Sequence, residues 1–461
     1  MKIAIIGAGT YGSYTANLLA SKFPSSEIHI YEVGDAILKD ESQIGFLSHI
    51  LKAPYNALSK GRFFGYGGAS VKWGGQLLTF SNKDFANPSN FLQDIVNQNI
   101  KYKNIVLSKF GLSNDREETD LTERLFSKTG IWLNYFNRNL FKYFKIDRKK
   151  QITLYPNYRV TKLLMQDNRV NGFECIHQGG KKTVSDYDYY FITVGAFESA
   201  RLLLNSGIAK DYLPFSDHLS QKAFKIKSGT KIGITDFSFG IRKSSLITRR
   251  MIGEINNISF FAHPIFNSEF PFFQNLKRLL FGRHFSFKLI ADIFNDIPAC
   301  IAFAWNMFVK KKLYVYKNEW YLQIDIENPV DSGKITLSDD KDSFGENGLN
   351  IEFTIENDTD ALFAKAKAIV KEYLDKYSVD YEIVDEETNV EKYEDTYHPF
   401  GIYSDFSSLE DYFTRFLNML IINTGVLPRA GGINSTCAVF PLIEEYFAQY
   451  IKNFTNRKNT H

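Results

Sequence analysis

Cysteine is scarce in this chain of 461 residues, which holds only Cys175, Cys300 and Cys437. The three are odd in number and far apart, so they exclude a disulfide framework and lack the spacing of a zinc site. None has a neighbour that would mark a catalytic thiolate, and we interpret them as buried free thiols. This pattern predicts a reducing cytoplasm and no bound metal.

Long apolar runs are missing as well, and no stretch approaches the ~20 residues of a membrane-spanning helix. The first apolar run, Lys2–Ile6, is too short for a signal peptide and leads directly into a glycine turn. Net charge is only +3, from 55 lysines and arginines against 52 aspartates and glutamates. Such a balance argues against nucleic acid as a partner, and the length predicts two globular domains.

The most informative pattern lies in the first thirty-two residues. A buried strand, Lys2–Ile6, precedes the turn Gly7-Ala8-Gly9-Thr10-Tyr11-Gly12; a helix and a second strand follow, and that strand ends at Glu32. This is the order and spacing of a dinucleotide-binding unit. Gly7 would permit the tight turn, Gly9 the approach of a pyrophosphate, and Gly12 the packing of helix on strand. Glu32 would accept hydrogen bonds from ribose hydroxyls, and both FAD and NAD remain candidate cofactors for the unit.

A second glycine-rich stretch covers residues 62–80 and reads RFFGYGGASVKWGGQLLTF. Glycines at 65, 67, 68, 74 and 75 alternate with bulky aromatic side chains. Such density predicts backbone lying close to a flat ligand or to another backbone. The alternative is a glycine-rich surface loop.

The middle of the chain is less specific. Residues 120–126 and 132–144 have the apolar spacing of amphipathic helices, as do residues 358–377. Residues 222–266 alternate in short runs that predict antiparallel strands. Residues 271–312 combine aromatic with basic side chains, and we weigh two interpretations: a helical cover over a substrate domain, or an amphipathic surface that docks on anionic lipid or on an acidic electron acceptor.

Four blocks of the sequence resemble the glucose-methanol-choline oxidoreductase family, and in particular its bacterial branch whose flavin loop ends in Trp-Gly-Gly. The blocks are the N-terminal unit, GYGGASVKWGG at 65–75, VGAFESARLLLNSG at 194–207, and a C-terminal pair formed by HPFG at 398–401 and TGVLPRAGGINST at 424–436. The resemblance implies an α/β fold: a Rossmann-like FAD-binding domain with an inserted α+β substrate domain built on an antiparallel sheet. We expect residues 1–85, 150–215 and 396–461 in the FAD domain, and 86–149 and 216–395 in the substrate or cover domain.

The resemblance also implies which residues hold the cofactor. The pyrophosphate and ribose would meet Gly7, Gly9, Thr10, Tyr11, Gly12 and Glu32, and Val160 the adenine through its backbone. Around the flavin ring, the expected residues are Gly67, Gly68, Ala69, Ser70, Trp73, Gly74, Gly75, Gly195 and Gly425. Some relatives carry a histidine bonded covalently to the flavin, but Lys72 occupies that place here, so we expect non-covalent FAD.

The family's catalytic pair falls on His398 and Asn434. The resemblance implies a hydride transfer from a substrate CH–OH to flavin N5, with His398 as base, ionising near its ordinary pKa of ~6.5, and Asn434 holding the hydroxyl. His218 would be the next candidate for the base. A sugar or sugar derivative is the first choice of substrate, and a lipid or sterol alcohol the second. The electron acceptor is left open between oxygen, a quinone and a protein, and a non-catalytic flavin-binding subunit is kept as an alternative.

Overall fold

The structure is a computed structural model, which describes residues 1–113, 118–227, 240–242, 245–265, 275, 286–310, 320–384 and 392–449. Of the basic aromatic segment predicted at 271–312, residues 271–274, 276–285 and 311–312 lie outside this described part.

The described part contains twenty-two strands and eleven α-helices. The strands are β1 (Lys2–Ile6), β2 (Glu27–Glu32), β3 (Ser48–Lys52), β4 (Gln76–Leu77), β5 (Thr119–Asp120), β6 (Phe126–Trp132), β7 (Ile152–Pro156), β8 (Arg159–Gln166), β9 (Arg169–His177), β10 (Gly180–Ser185), β11 (Tyr189–Ile192), β12 (Leu213–Phe215), β13 (His218–Ile226), β14 (Gly240–Arg242), β15 (Ser245–Ile255), β16 (Ile258–Ile265), β17 (Trp320–Glu327), β18 (Gly333–Lys341), β19 (Asn347–Phe353), β20 (Tyr381–Ile383), β21 (Glu394–Asp395) and β22 (Met419–Ile421). The helices are α1 (Thr10–Lys22), α2 (Glu41–Ile44), α3 (Ala57–Lys60), α4 (Asn90–Lys109), α5 (Leu140–Tyr143), α6 (Ala196–Asn205), α7 (Phe287–Asn295), α8 (Ile297–Ala304), α9 (Thr359–Lys376), α10 (Leu409–Thr414) and α11 (Thr436–Gln449).

A five-stranded parallel sheet in the order β22-β11-β1-β2-β7 forms the first layer. β1 lies at its centre, and Ile3, Ile5 and Ile6 are buried because parallel sheets are covered on both faces. α1 packs against this sheet and contacts α11. The predicted unit of strand, glycine turn, helix and strand is confirmed.

A ten-stranded antiparallel sheet forms the second large element, with the main order β20-β13-β17-β16-β15-β6-β4. Two smaller sheets have the strand orders β10-β9-β8 and β12-β18-β19-β3. The predicted fold class is confirmed: an α/β part on a parallel sheet and an α+β part on an antiparallel sheet. The residue limits of the two domains stay a prediction.

Some predicted elements match the structure and others do not. The helix predicted at 358–377 is present as α9, and the antiparallel strands predicted within 222–266 are present as β13, β15 and β16. The helices predicted at 120–126 and 132–144 are wrong. The first range connects β5 to β6, and the second holds the end of β6, a 3-10 turn at Tyr135–Asn137 and the single turn of α5. β6 pairs with β15 over seven residues and buries the polar side chains of Ser127 and Thr129, so sheet pairing overrides the helical spacing.

Within the residues that the structure describes, no helix is long and apolar enough to cross a membrane. Cys175 and Cys437 are buried and free, as expected, whereas the free Cys300 is partly exposed.

Candidate active site

A cavity of about 610 Å³ opens where the N-terminal glycine turn, the second glycine stretch and the C-terminal blocks meet. It brings together fourteen of the residues predicted from the sequence. They are Gly7, Gly9, Thr10, Tyr11, Glu32, Gly68, Ala69, Trp73, Gly74, Gly75, Val160, Gly195, His398 and Asn434.

Four predicted cofactor residues, Gly12, Gly67, Ser70 and Gly425, lie behind the cavity wall, and their contacts are with the protein. A Cβ on Gly12 would stand 2.0 Å from the Gly7 carbonyl oxygen, which makes this glycine a packing requirement. The Ser70 hydroxyl donates to the Gly67 carbonyl (2.6 Å) and accepts from the Leu140 backbone N–H (3.1 Å). A Cβ on Gly425 would stand 2.7 Å from the side-chain oxygen of Asn423, so this glycine too is closed off by protein.

The two glycine stretches pack directly against each other. The Gly67 N–H donates to the Ala8 carbonyl (2.9 Å), and a Cβ on Gly68 would lie 2.9 Å from the Cα of Gly9. Gly68 also has a φ of +49°, in the left-handed region. The second stretch is therefore an inner wall of the cavity, and the surface-loop interpretation is wrong.

The start of α1 has the properties of an anion site. Among the described residues no side chain caps this helix, its first turn holds no acidic residue, and Gly9, Thr10 and Tyr11 all line the cavity. A Cβ on Gly9 would meet nothing nearer than 3.9 Å, which leaves room for a ligand against the backbone. The backbone N–H groups in the first turn of a helix have no partner within the helix. A pyrophosphate group could accept hydrogen bonds from them and would be attracted by the positive end of the helix dipole.

Glu32 lies at the cavity but is already engaged by the protein. Its carboxylate accepts backbone N–H groups of Ala8 (2.7 Å), Gly34 (2.9 Å) and Gly65 (3.0 Å). Burial raises the pKa of Glu32, and these three N–H donors oppose that rise. Glu32 thus ties both glycine stretches to β2, and its contact with a ribose stays a prediction.

Four basic side chains to which the sequence reasoning gave no role also line the cavity. Lys60, Arg62, Arg159 and Arg201 all belong to the lining. Arg62 pairs with Glu41 and Glu198 through Nη2 (3.2 and 2.9 Å), while its buried Nη1 has no hydrogen-bond partner in the described part of the chain. Lys60 ends α3, Arg159 begins β8 and Arg201 lies in α6. Arg62 and Arg201 belong to stretches singled out in the sequence, but no motif assigns a role to either basic side chain.

His398 also lines the cavity, half-buried, on the segment that follows β21. Its backbone N–H donates to the Asp217 carboxylate (3.0 and 3.1 Å), and its Nδ1 lies 3.2 Å from the Thr396 hydroxyl. Burial, then the nearby His218 and Arg250, lowers the pKa of His398 to about 3. This shift keeps the imidazole neutral at physiological pH and moves its ionisation below the value near 6.5 that is expected from the sequence.

Asn434 lies at the same end of the cavity, just before α11. Its side-chain oxygen accepts from both terminal nitrogens of the buried Arg250, at 3.2 and 3.3 Å. Arg250 also donates to the side-chain oxygen of Gln76, which lines the cavity beside Trp132. Burial lowers the pKa of Arg250 to about 10, so the guanidinium stays charged at neutral pH. Sequence reasoning missed Arg250, Gln76 and Trp132, because only the pairing of β4, β6 and β15 brings these residues together.

His218, the alternative base, is fully buried outside the cavity lining. Its Nε2 lies 2.7 Å from the Gly431 carbonyl oxygen, which can only accept, so Nε2 carries the proton. Within the described residues, no group of three or more histidine, cysteine, aspartate or glutamate side chains could hold a metal ion.

No protein-family model matches the sequence. No curated protein matches it either. Among solved structures, the chain is similar to pyridoxine 4-oxidase from Mesorbium loti, with a TM-score of 0.56 and 14% sequence identity over 98% of this chain and 99% of that chain. At this identity the likeness shows a shared fold along almost the whole chain.

Proposed function

We propose that this protein is an FAD-dependent oxidoreductase of the glucose-methanol-choline type that oxidises a CH–OH group. One observation carries the proposal: a single cavity joins an uncapped helix N-terminus among glycines to His398 and Asn434. The first end suits a dinucleotide pyrophosphate, and the second offers a neutral imidazole and an amide. The shared fold with pyridoxine 4-oxidase, an oxidase by its name, supports the same reading.

FAD, when bound, would supply the acceptor for a hydride from the substrate carbon. The chain's own residues handle the hydroxyl group. His398 is neutral and would take the hydroxyl proton, which an alcohol must release as it becomes a carbonyl. The Asn434 amide would hold the same oxygen and stabilise the negative charge that develops on it.

The proposal is tested on the purified protein by its spectrum and by anaerobic addition of alcohols. A flavin spectrum that bleaches with an alcohol supports it, whereas recovery of a nicotinamide cofactor instead of flavin would overturn it. Acid precipitation should release all of the flavin, because Lys72 replaces the histidine of covalent relatives. Yellow colour kept in the pellet would refute non-covalent binding.

A sugar or sugar derivative is the substrate class that we propose first. The cavity lining includes Trp132 together with the amides of Gln76 and Asn434, of which the Gln76 nitrogen also donates to the Thr248 hydroxyl at 3.3 Å. An aromatic face beside hydrogen-bonding amides suits a ring that carries several hydroxyls. A panel of sugars, glycosides, lipid or sterol alcohols and pyridoxine, compared by anaerobic bleaching, ranks the alternatives.

A non-catalytic flavin-binding subunit is the competing proposal. Such a subunit would bind FAD but keep its colour with every alcohol of the panel, and it would need neither His398 nor Asn434. Oxygen, a quinone and a protein are the candidate electron acceptors, and reoxidation of the bleached flavin by each separates them. A cytoplasmic location, predicted from the cysteine content, also stays a proposal.

Peripheral contact with anionic lipid is a further proposal for the 271–312 segment. Phe287, Phe294, Ile301, Trp305 and Phe308 are each more than half exposed, and no residue of α8 is buried. The sequence adds lysines at 310, 311 and 312 directly after these apolar residues. Sedimentation with anionic vesicles at low and high salt tests it; protein left in the supernatant at both salts would exclude docking.

A further inference from the structure

The fully buried Asp217 carboxylate lies directly behind the segment that carries His398. It accepts the hydroxyls of Tyr55 and Thr396, each at 2.8 Å, and the backbone N–H of His398 at 3.0 and 3.1 Å. The backbone N–H of His218 is a fourth donor, at 2.7 Å. So many donors around one carboxylate hold the 396–398 segment in place.

The direction of these hydrogen bonds determines which nitrogen of His398 is protonated. Thr396 has one hydroxyl proton and gives it to Asp217, since an ionised carboxylate only accepts. Toward His398 Nδ1, 3.2 Å away, the Thr396 oxygen can therefore offer only a lone pair. In the neutral imidazole the proton then lies on Nδ1, and Nε2 keeps its lone pair.

The backbone between the two residues is bent to make this possible. Tyr397 has a φ of +65°, a left-handed conformation that non-glycine residues seldom adopt. The bend lets the Thr396 side chain and the His398 N–H reach the same carboxylate. Backbone strain of this kind persists where surrounding contacts over-determine it, and it concentrates at functional sites.

We propose that Asp217, acting through Thr396, is a positioning residue that selects the Nδ1–H tautomer of His398 and so keeps Nε2 free to accept a proton. The importance of this tautomer for catalysis rests on the proposed function. The tautomer itself is a property of the folded chain and can be measured without a substrate.

The arrangement also predicts a pH dependence. Burial, then the neighbouring Asp395, raises the pKa of Asp217 to about 7, against the opposing hydrogen bonds of Tyr55, Thr396 and His218. The charged or titratable groups that shift the pKa of His398 are His218 and Arg250, which lower it, and Asp325, which raises it. Below that pKa, the protonated Asp217 can donate a hydrogen bond to the Thr396 oxygen. The Thr396 hydroxyl can then donate its own proton toward Nδ1, which favours the tautomer with the ring proton on Nε2.

The test is nitrogen NMR on protein labelled with ¹⁵N-histidine, with the His398 signals assigned by their loss in His398→Gln. At about pH 8, above the range in which Asp217 binds a proton, wild type and Thr396→Ser should show a protonated Nδ1. Thr396→Val, which keeps the shape but lacks the hydroxyl, should lose this preference, and Asp217→Asn should do the same. At about pH 6 the wild-type signals should move toward the Nε2–H form. An Nε2–H imidazole in wild type at the higher pH, or a Thr396→Val spectrum identical to wild type, would overturn the proposal.

Flavin reduction by an alcohol separates this proposal from the proposed function. Thr396→Val should reduce its flavin roughly 10-fold slower or more, and Thr396→Ser should restore most of the rate. If no alcohol bleaches the flavin while Nδ1–H is observed, the positioning role stands and the function fails. If alcohols bleach the flavin while His398 is protonated on Nε2, the positioning role fails and the function stands.

Discussion

Both terminal nitrogens of Arg250 donate to the one side-chain oxygen of Asn434, at 3.2 and 3.3 Å. A guanidinium has no acceptor, so the atom of the amide that faces it must be the oxygen. The NH₂ group of Asn434 is thereby turned away from Arg250, where it can donate to a substrate oxygen. The same argument orients Gln76, whose oxygen also accepts from Arg250.

Replacing Arg250 with Met should slow flavin reduction by roughly 10²-fold, because the Asn434 amide loses its fixed orientation. Arg250→Lys keeps the charge but loses the forked donor geometry, and it should recover only part of the rate. The decisive comparison is a double-mutant cycle with Asn434→Ala. Arg250→Met should cost much less in the Asn434→Ala background than in wild type; equal costs in both backgrounds would mean that Arg250 does not act through Asn434.

The glycine turns allow protein stability to be separated from cofactor binding. Gly9→Ala should fold normally, since the nearest described atom to its Cβ is the Gly68 Cα at 3.9 Å, but the added methyl group would narrow the cavity that Gly9 lines. We expect it to weaken FAD retention about 10-fold or more while thermal stability changes by less than ~1 kcal/mol. Gly68→Ala is the contrasting variant, because its Cβ would lie 2.9 Å from Gly9 Cα at a φ of +49°. It should lose stability as well as flavin, as measured by urea unfolding and by flavin absorbance.

His398 should make the protein sensitive to mild acid. Its pKa is about 3 in the folded chain against an ordinary value of 6.5, so the unfolded chain binds the proton first as pH falls. The stability contributed by the neutral imidazole is complete above about pH 6.5 and is lost progressively toward about pH 3. Between about pH 7.5 and about pH 5, wild type should therefore lose about 1–2 kcal/mol of unfolding free energy more than His398→Gln. Urea unfolding at both pH values measures this difference. If wild type and His398→Gln lose the same unfolding free energy, the result contradicts a neutral, desolvated His398.

The parts of the site that could be predicted from sequence are those carried by local motifs. The turn from Gly7 to Gly12 predicts the strand before it and the helix after it. Its glycines permit the tight turn and the close packing of the helix, and both requirements arise within a few residues of sequence. His398 and Asn434 could be placed in one cavity only through the resemblance of their blocks, since thirty-five residues separate them.

The remaining parts depend on contacts between distant segments. Asp217 reaches His398 across 181 residues of sequence, and Arg250 reaches Asn434 across 184. No periodicity encodes such pairs, which arise from the pairing of β13, β15 and β21 with their neighbours. The helix predicted at 132–144 is divided into a 3-10 turn, Tyr135–Asn137, and the single turn of α5, and each begins at its own asparagine cap, Asn134 and Asn139.

The rate of anaerobic flavin reduction in His398→Ala tests the central claim most directly. The variant should fold and keep FAD, since His398 lies on a different segment of the cavity lining from the glycine turn. Without the base, the alcohol proton has no acceptor, and bleaching near ~450 nm in a stopped-flow instrument should slow on the order of 10²–10⁴-fold. Asn434→Ala should slow it by roughly 10²–10³-fold. A His398→Ala protein that is reduced within a few-fold of the wild-type rate would contradict the account and place the base elsewhere.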